Sequence, residues 1–140
     1  MAQTDRLFIE DSRRPSATLR RADTFMRRLK GLLGQAGLQA EEGLWIVPCT
    51  SVHTFFMRFP IDVAFVDREG RIVKVVEHMG AGRLAFARGA KSVIELAAGS
   101  ARRMGLATGQ RLERSCAVDD DRARRPLTAA SLRNRGGSRD

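Results

Sequence analysis

The alternation of apolar and polar residues predicts a chain built mainly of short β-strands. The clearest pattern has a period of two from Val52 to Phe59, is interrupted by Pro60, and resumes from Ile61 to Val66. A period of two is typical of strands whose faces differ in exposure, and proline lacks the N–H that a strand interior donates. The sequence Asp67-Arg-Glu-Gly70 is typical of a turn with a positive φ at the glycine, and a returning strand follows from Arg71 to Glu77. We therefore expect a β-hairpin near the centre of the chain.

Shorter elements flank this hairpin. Apolar runs predict strands at residues 44–47 and 93–97. Apolar residues on one side predict a helix from Phe25 to Leu33, and Ser100 is a candidate N-cap for a single helical turn from Ala101 to Gly105. The pattern thus favours a mainly β fold with one or two short peripheral helices.

Length and composition place this fold in one domain. A chain of 140 residues is the size of a single domain. We expect the domain to span residues 17–113, with residues 1–16 as a flexible arm. Residues 114–140 are rich in Arg and Asp and poor in apolar residues, which predicts a disordered tail.

The net charge of +9 is concentrated at the two ends of the sequence. Residues 1–30 hold eight basic and four acidic residues, and residues 114–140 hold seven and four. Such flanks can bind nucleic acid or anionic surfaces weakly and without specificity. No apolar stretch reaches the roughly 20 residues needed to span a bilayer, and no signal peptide is recognisable, so we expect a cytoplasmic protein.

Cys49, His53 and Met57 are residue types that bind soft metals. In one strand, however, they would spread over about 25 Å, far more than one coordination sphere. We therefore expect no metal and no cofactor. No nucleophile motif is present either, which makes dedicated nucleophilic catalysis an unfavoured interpretation.

Two acidic residues, Asp62 and Glu95, stand among apolar neighbours. A buried carboxylate requires a partner or becomes protonated, and Arg58, Lys91 and His53 are the candidate partners. The two acids together would also suit acid–base chemistry in a hydrolase. Both interpretations remain open at this stage.

Two motifs carry a family resemblance. The first runs from His53 through Met57-Arg-Phe-Pro-Ile-Asp62 to Asp67, and the second is Ala90-Lys-Ser-Val-Ile-Glu-Leu96. Together with Gly31-Leu-Leu-Gly34, they resemble domain of unknown function family 192, also called uncharacterised protein family 0127, over roughly residues 17–113. The resemblance implies a compact, mostly antiparallel β fold of sandwich or barrel-like type, with short helices outside it. It implies no reaction.

The leading functional hypothesis is a monomeric accessory module that binds a small molecule or a protein, without enzymatic activity. Its expected binding residues are His53, Met57, Arg58, Asp62, Lys91 and Glu95. One alternative is a hydrolase that uses Asp62 and Glu95. A second is a weak binder of nucleic acid or anionic surfaces through the basic flanks.

Overall fold

The computed structural model describes residues 4–22, 41–55, 57, 59–116 and 124–128. The predicted helix at Phe25–Leu33 lies outside these ranges. In chain order the strands are β1 (Thr4–Ile9), β2 (Ala17–Ala22), β3 (Glu42–Ile46), β4 (Ser51–His53), β5 (Ile61–Asp67), β6 (Ile72–Met79), β7 (Leu84–Phe86), β8 (Ala90–Ala97), β9 (Leu112–Cys116) and β10 (Arg125–Pro126). A short helix, α1 (Ser100–Met104), lies between β8 and β9.

Eight strands form one curled sheet, a half-barrel, in the order β10-β9-β1-β2-β3-β8-β5-β6. Its neighbouring strands run antiparallel, with the exception of the parallel pair β2 and β3. Strands β4 and β7 form a separate two-stranded antiparallel sheet. The prediction of a mainly β, mostly antiparallel fold is therefore confirmed.

The large sheet is buried on both of its faces where β5 crosses its middle. Ala64 packs in one core cluster, which also contains Trp45 from β3. Phe65 packs in a second cluster, which contains Val52 and Ala85 from the two-stranded sheet. The small sheet thus covers one face of the large one. Because both faces of β5 are covered, its sequence is a nearly continuous apolar run.

The strand predicted from Val52 to Phe59 is much shorter than expected, because β4 ends at His53. The next residue after β4 is Thr54, which is fully buried. The Thr54 hydroxyl donates to the Gly80 carbonyl at 2.6 Å and accepts the Arg83 N–H at 2.9 Å. These contacts tie the end of β4 to the loop before β7. They come from a segment more than 25 residues away in sequence, which local alternation does not reveal.

The expected flexible arm and disordered tail both contribute to the large sheet. Strand β1 lies between β9 and β2 and buries Leu7 and Phe8 completely. Strand β10 pairs with β9, and Leu127 just beyond it is fully buried in the core. The domain therefore includes residues 4–16 and extends past residue 113, which corrects the predicted boundaries.

Arginines explain why the composition of these ends was misleading. The Arg114 guanidinium lies over the Trp45 ring at 5.1 Å and is within 2.7 Å of the buried Asp5 carboxylate. Arg124 lies over the Phe8 ring at 4.1 Å and donates to the Ser12 carbonyl at 2.6 Å. Arginine can cover apolar surface with its stem and planar head while its charge is paired. Charge counts therefore underestimated how much of the two ends is folded.

Candidate functional site

Asp62 joins three elements of the fold. Its carboxylate is fully buried, Oδ1 accepts the His78 N–H at 2.8 Å, and Oδ2 accepts the Ala101 N–H at 2.9 Å. His78 has a left-handed φ of 50° at the end of β6, where the pairing with β5 is irregular. Each carboxylate oxygen of Asp62 thus accepts a backbone N–H group, one at the bulge of β6 and the other in the first turn of α1. These contacts assign Asp62 a structural role.

The N-terminus of α1 differs from the sequence prediction in an instructive way. Ser100 is the first helical residue, and the N-cap is Gly99, at φ 89° and without a side-chain cap. A helix leaves its first N–H groups without partners inside the helix. Here Asp62, 39 residues earlier in the chain, accepts one of them, from Ala101. The helix is therefore capped by a residue that is distant in sequence, which a local capping motif does not reveal.

Glu95 lies on the other face of the sheet from Asp62. On the paired strands β5 and β8, Asp62 is opposite Leu96 and Val63 is opposite Glu95. Directly opposed residues share a face, and successive residues alternate between faces. Glu95 therefore points to the side of the second core cluster, beneath the two-stranded sheet, whereas Asp62 points to α1. The two acids form no catalytic pair, and the hydrolase that depended on such a pair is not supported.

The remaining predicted site residues are dispersed. His53 is exposed on β4, Met57 is buried in the second core cluster, and Lys91 is exposed at the start of β8. Arg58 lies outside the described residues. Lys91 contributes its carbonyl, which accepts the Cys49 N–H at 2.9 Å. Among the described residues, no three His, Cys, Asp or Glu side chains group as metal ligands. Of the five predicted residues that the structure describes, Asp62 and Glu95 point to opposite faces of the large sheet, so these two do not share a pocket.

Exposed hydrophobic residues form a different surface, and none of them is among the predicted binding residues. Phe55, Leu84 and Phe86 are the large hydrophobic residues that the described part of the chain exposes, with 47%, 67% and 66% of their surfaces accessible. Leu84 and Phe86 belong to the two-stranded sheet, and Phe55 lies two residues after the end of β4. We call the surface formed by His53, Phe55, Leu84 and Phe86 the outer face.

The period of two creates this face. In the β4–β7 pair, Val52 is opposite Ala85, and both point inward to the second core cluster. The adjacent pair, His53 and Leu84, therefore points outward. The His53 ring also stacks on Phe55 with ring centres 5.1 Å apart. The sequence signal was the alternation at residues 84–86, but it does not tell which face is covered.

The surroundings of the outer face are basic. Residues 49–59 and 80–91, which contain the small sheet, hold Arg58, Arg83, Arg88 and Lys91 and no Asp or Glu. Arg83, Arg88 and Lys91 are exposed. From the neighbouring strand β6, the Lys74 ammonium lies 5.9 Å from the Phe86 ring centre and donates to the Phe86 carbonyl at 3.1 Å. Apolar and cationic groups thus occur side by side.

Two open cavities lie elsewhere. One of about 490 Å³ is lined by residues of β6, α1 and the turn after α1: Val75, Glu77, Arg102, Gly105, Leu106, Ala107 and Thr108. The other, of about 450 Å³, is bounded by the β1–β2 connection and α1. None of the five predicted site residues that the structure describes lines either cavity.

The basic flanks are partly committed to internal contacts. Arg20 lies 3.8 Å from the Glu42 carboxylate, and Arg124 lies 3.3 Å from the Glu113 carboxylate. Arg13 and Arg14 are exposed in the β1–β2 connection. Less of the flanking charge is therefore available to an anionic partner than the sequence suggested.

Fold and surface together define a small β domain, in which a half-barrel carries a two-stranded sheet with an exposed apolar face. The chain belongs to the DUF192 family, described as "Uncharacterized ACR", whose profile matches residues 8–114. The function of that family is not established. No curated protein matches the chain. No helix among the described residues is long and apolar enough to cross a membrane.

Two solved structures share the fold. A candidate transcription regulator from Sinorhizobium meliloti is 23% identical, covers 81% of this chain and 94% of its own, and superposes with a TM-score of 0.68. A protein of unknown function from Novosphingobium aromaticivorans is 22% identical, covers 77% of this chain and 83% of its own, and superposes with a TM-score of 0.64. At such identities the likeness concerns the fold alone.

Proposed function

We propose that this protein is a binding module that docks on a partner through its outer face. The observation that carries the proposal is the clustering of three exposed residues on or next to one small sheet: Leu84 and Phe86 on β7, and Phe55 stacked on His53 of β4. Scattered exposed apolar residues are ordinary, but a cluster of them with polar surroundings is typical of an interaction surface. Aromatic residues are also enriched among the side chains that dominate interfaces.

The sheet holds these side chains in place before any partner arrives. Val52 and Ala85 anchor its inner face in the core, and Thr54 ties the end of β4 to the loop before β7. A preformed surface loses less conformational entropy on binding than a flexible one. A fixed apolar surface of this kind supports docking of an external partner. It argues against the interpretation that these residues are exposed only because they lie in a loop.

The apolar contribution to docking is moderate. Burying a whole Leu or Phe side chain gains roughly 1.5–3 kcal/mol. At the observed exposures of 47%, 67% and 66%, the three residues together supply on the order of 3–5 kcal/mol. This corresponds to about millimolar affinity before the costs of association are counted. Additional contacts, such as charge pairing, are therefore required.

The test is site-specific photo-crosslinking in the cells that make the protein. A photoreactive amino acid replaces Phe86 in one variant, and in the control variant it replaces Glu69, which is exposed in the β5–β6 turn. We expect a discrete adduct from position 86 that disappears when Leu84→Ser is added. The same adducts from both positions, or no adduct to protein or lipid from position 86, would contradict the proposal.

A further inference from the structure

We propose that the outer face docks on an anionic lipid surface. This inference rests on the proposed function, because it assigns a partner to the same face. Phe55, Leu84 and Phe86 would enter the interfacial region of the membrane, and the neighbouring cations would contact lipid headgroups. Peripheral membrane proteins combine these two elements, an apolar face and Lys or Arg beside it.

Among the described residues, the exposed charges named beside the outer face are basic. Arg83 directly precedes β7, Arg88 follows it by two residues, and Lys74 contacts Phe86 from β6. The nearest acid on β6, Glu77, lines the cavity beside α1 with Val75, whereas Lys74 lies over the small sheet. Because successive side chains of β6 point to opposite sides of the sheet, Glu77 lies on the side away from the outer face. A basic rim complements a surface of negative charge.

This charge pattern argues against other occupants. A second copy of the chain, docked face to face, would bring Arg83, Arg88 and Lys74 against like charges, because such an interface repeats the same patch on both partners. Binding to a nucleic acid backbone would use the cations but would not bury Leu84 and Phe86. Protein interfaces commonly have a polar rim of mixed character, which the acid-free segments 49–59 and 80–91 lack.

The geometry suits shallow insertion. Leu84 and Phe86 are two residues apart on β7, so their side chains leave the same side of the strand about 7 Å apart. The stacked pair of His53 and Phe55 stands beside them, since His53 is opposite Leu84. Lysine and arginine can extend their apolar stems along such a surface and place their charges at the headgroups. The face can thus bury its apolar side chains without burying a charge.

The inference is tested by vesicle flotation with the full chain. One vesicle population contains phosphatidylcholine alone, and the other contains phosphatidylcholine with about a third phosphatidylserine. We expect binding to the anionic vesicles, weaker binding to the neutral ones, and a decrease as salt rises from about 50 to 500 mM. Leu84→Ser with Phe86→Ser should lower the partition coefficient at least about tenfold.

A matched pair of arginine variants separates this face from the general positive charge. Arg83→Gln with Arg88→Gln should lower binding about fivefold for each arginine removed. Arg13→Gln with Arg14→Gln removes the same charge from the β1–β2 connection, where both residues are exposed, and should lower binding no more than about twofold. Thermal unfolding checks that each variant is folded. If the double serine variant does not fold, the single variant Leu84→Asn replaces it.

Several results would overturn the lipid assignment. These are no binding to anionic vesicles at about 50 mM salt, binding that the serine variants leave unchanged, and equal losses from both arginine pairs. Binding to duplex DNA without binding to vesicles would also overturn it. If position 86 crosslinks to a protein and vesicles are not bound, the lipid assignment fails while the docking function stands. If position 86 gives no specific adduct and vesicles are not bound, both fail.

Discussion

The most informative single substitution is Asp62→Ala. Asp62 accepts two backbone N–H groups, from His78 and Ala101, at 2.8 and 2.9 Å. The Ala101 bond is buried, so its loss leaves an unpaired donor at a cost of about 2 kcal/mol. The His78 bond is only partly buried, which lets water replace the carboxylate at a cost of about 1 kcal/mol. We therefore expect the free energy of unfolding to fall by about 3 kcal/mol, equivalent to about 10 °C in Tm.

Asp67 provides the control. Its Oδ1 also accepts two backbone N–H groups, from Glu69 and Arg71, at 2.8 and 2.9 Å, but in an exposed turn. Asp67→Ala should cost no more than about 1 kcal/mol, since water reaches both donors. Urea unfolding of both variants, compared at unchanged slope, measures the difference. If Asp62→Ala is no more destabilising than Asp67→Ala, the structural role assigned to the buried hydrogen bonds of Asp62 is wrong. Asp62→Asn, which keeps one acceptor, should lie between the two.

Three further predictions concern the core and the outer face. Gly70→Ala should lower the free energy of unfolding by about 2–4 kcal/mol in chemical denaturation, because Gly70 has φ 89° and an added Cβ would lie 3.2 Å from the Leu112 carbonyl oxygen. An unchanged stability would contradict this close approach of the Leu112 backbone to Gly70. Leu127→Ala should cost about 2–5 kcal/mol by the same assay, because Leu127 is fully buried, and an unchanged stability would show that the tail does not close the core. Leu84→Ser and Phe86→Ser should each change the free energy of unfolding by no more than about 0.5 kcal/mol, because both residues are exposed. A clearly larger loss of stability on thermal unfolding would show that the face is part of the core.

The relation between fold and function is indirect here. Of the two similar solved structures described above, one is a candidate transcription regulator and the other a protein of unknown function. A fold can carry unrelated functions, so the functional argument must come from the surface of this chain. The outer face, built from β4, β7 and Phe55, is the part of the described chain that offers such an argument.

Two acidic residues were recognised from sequence, but their partners and their relative placement were not. Asp62 stood out as an acid among apolar residues, and it is buried with two hydrogen bonds. Glu95 stood out for the same reason and is also buried. Whether they share a pocket depended on the register between β5 and β8, which a single sequence does not contain. A shift of one residue would reverse the faces.

By itself, the sequence determined the class of fold, the central hairpin and its glycine turn, because these follow from local alternation and from backbone conformations near Gly70. The motif around Asp62 was also enough to indicate the family. Only the tertiary structure decided which side of β7 is exposed, which backbone groups Asp62 binds, and how far the domain extends into both ends of the chain. The physical reason is that burial and pairing are relations between distant segments. Alternation defines two faces, and only packing determines which one remains at the surface.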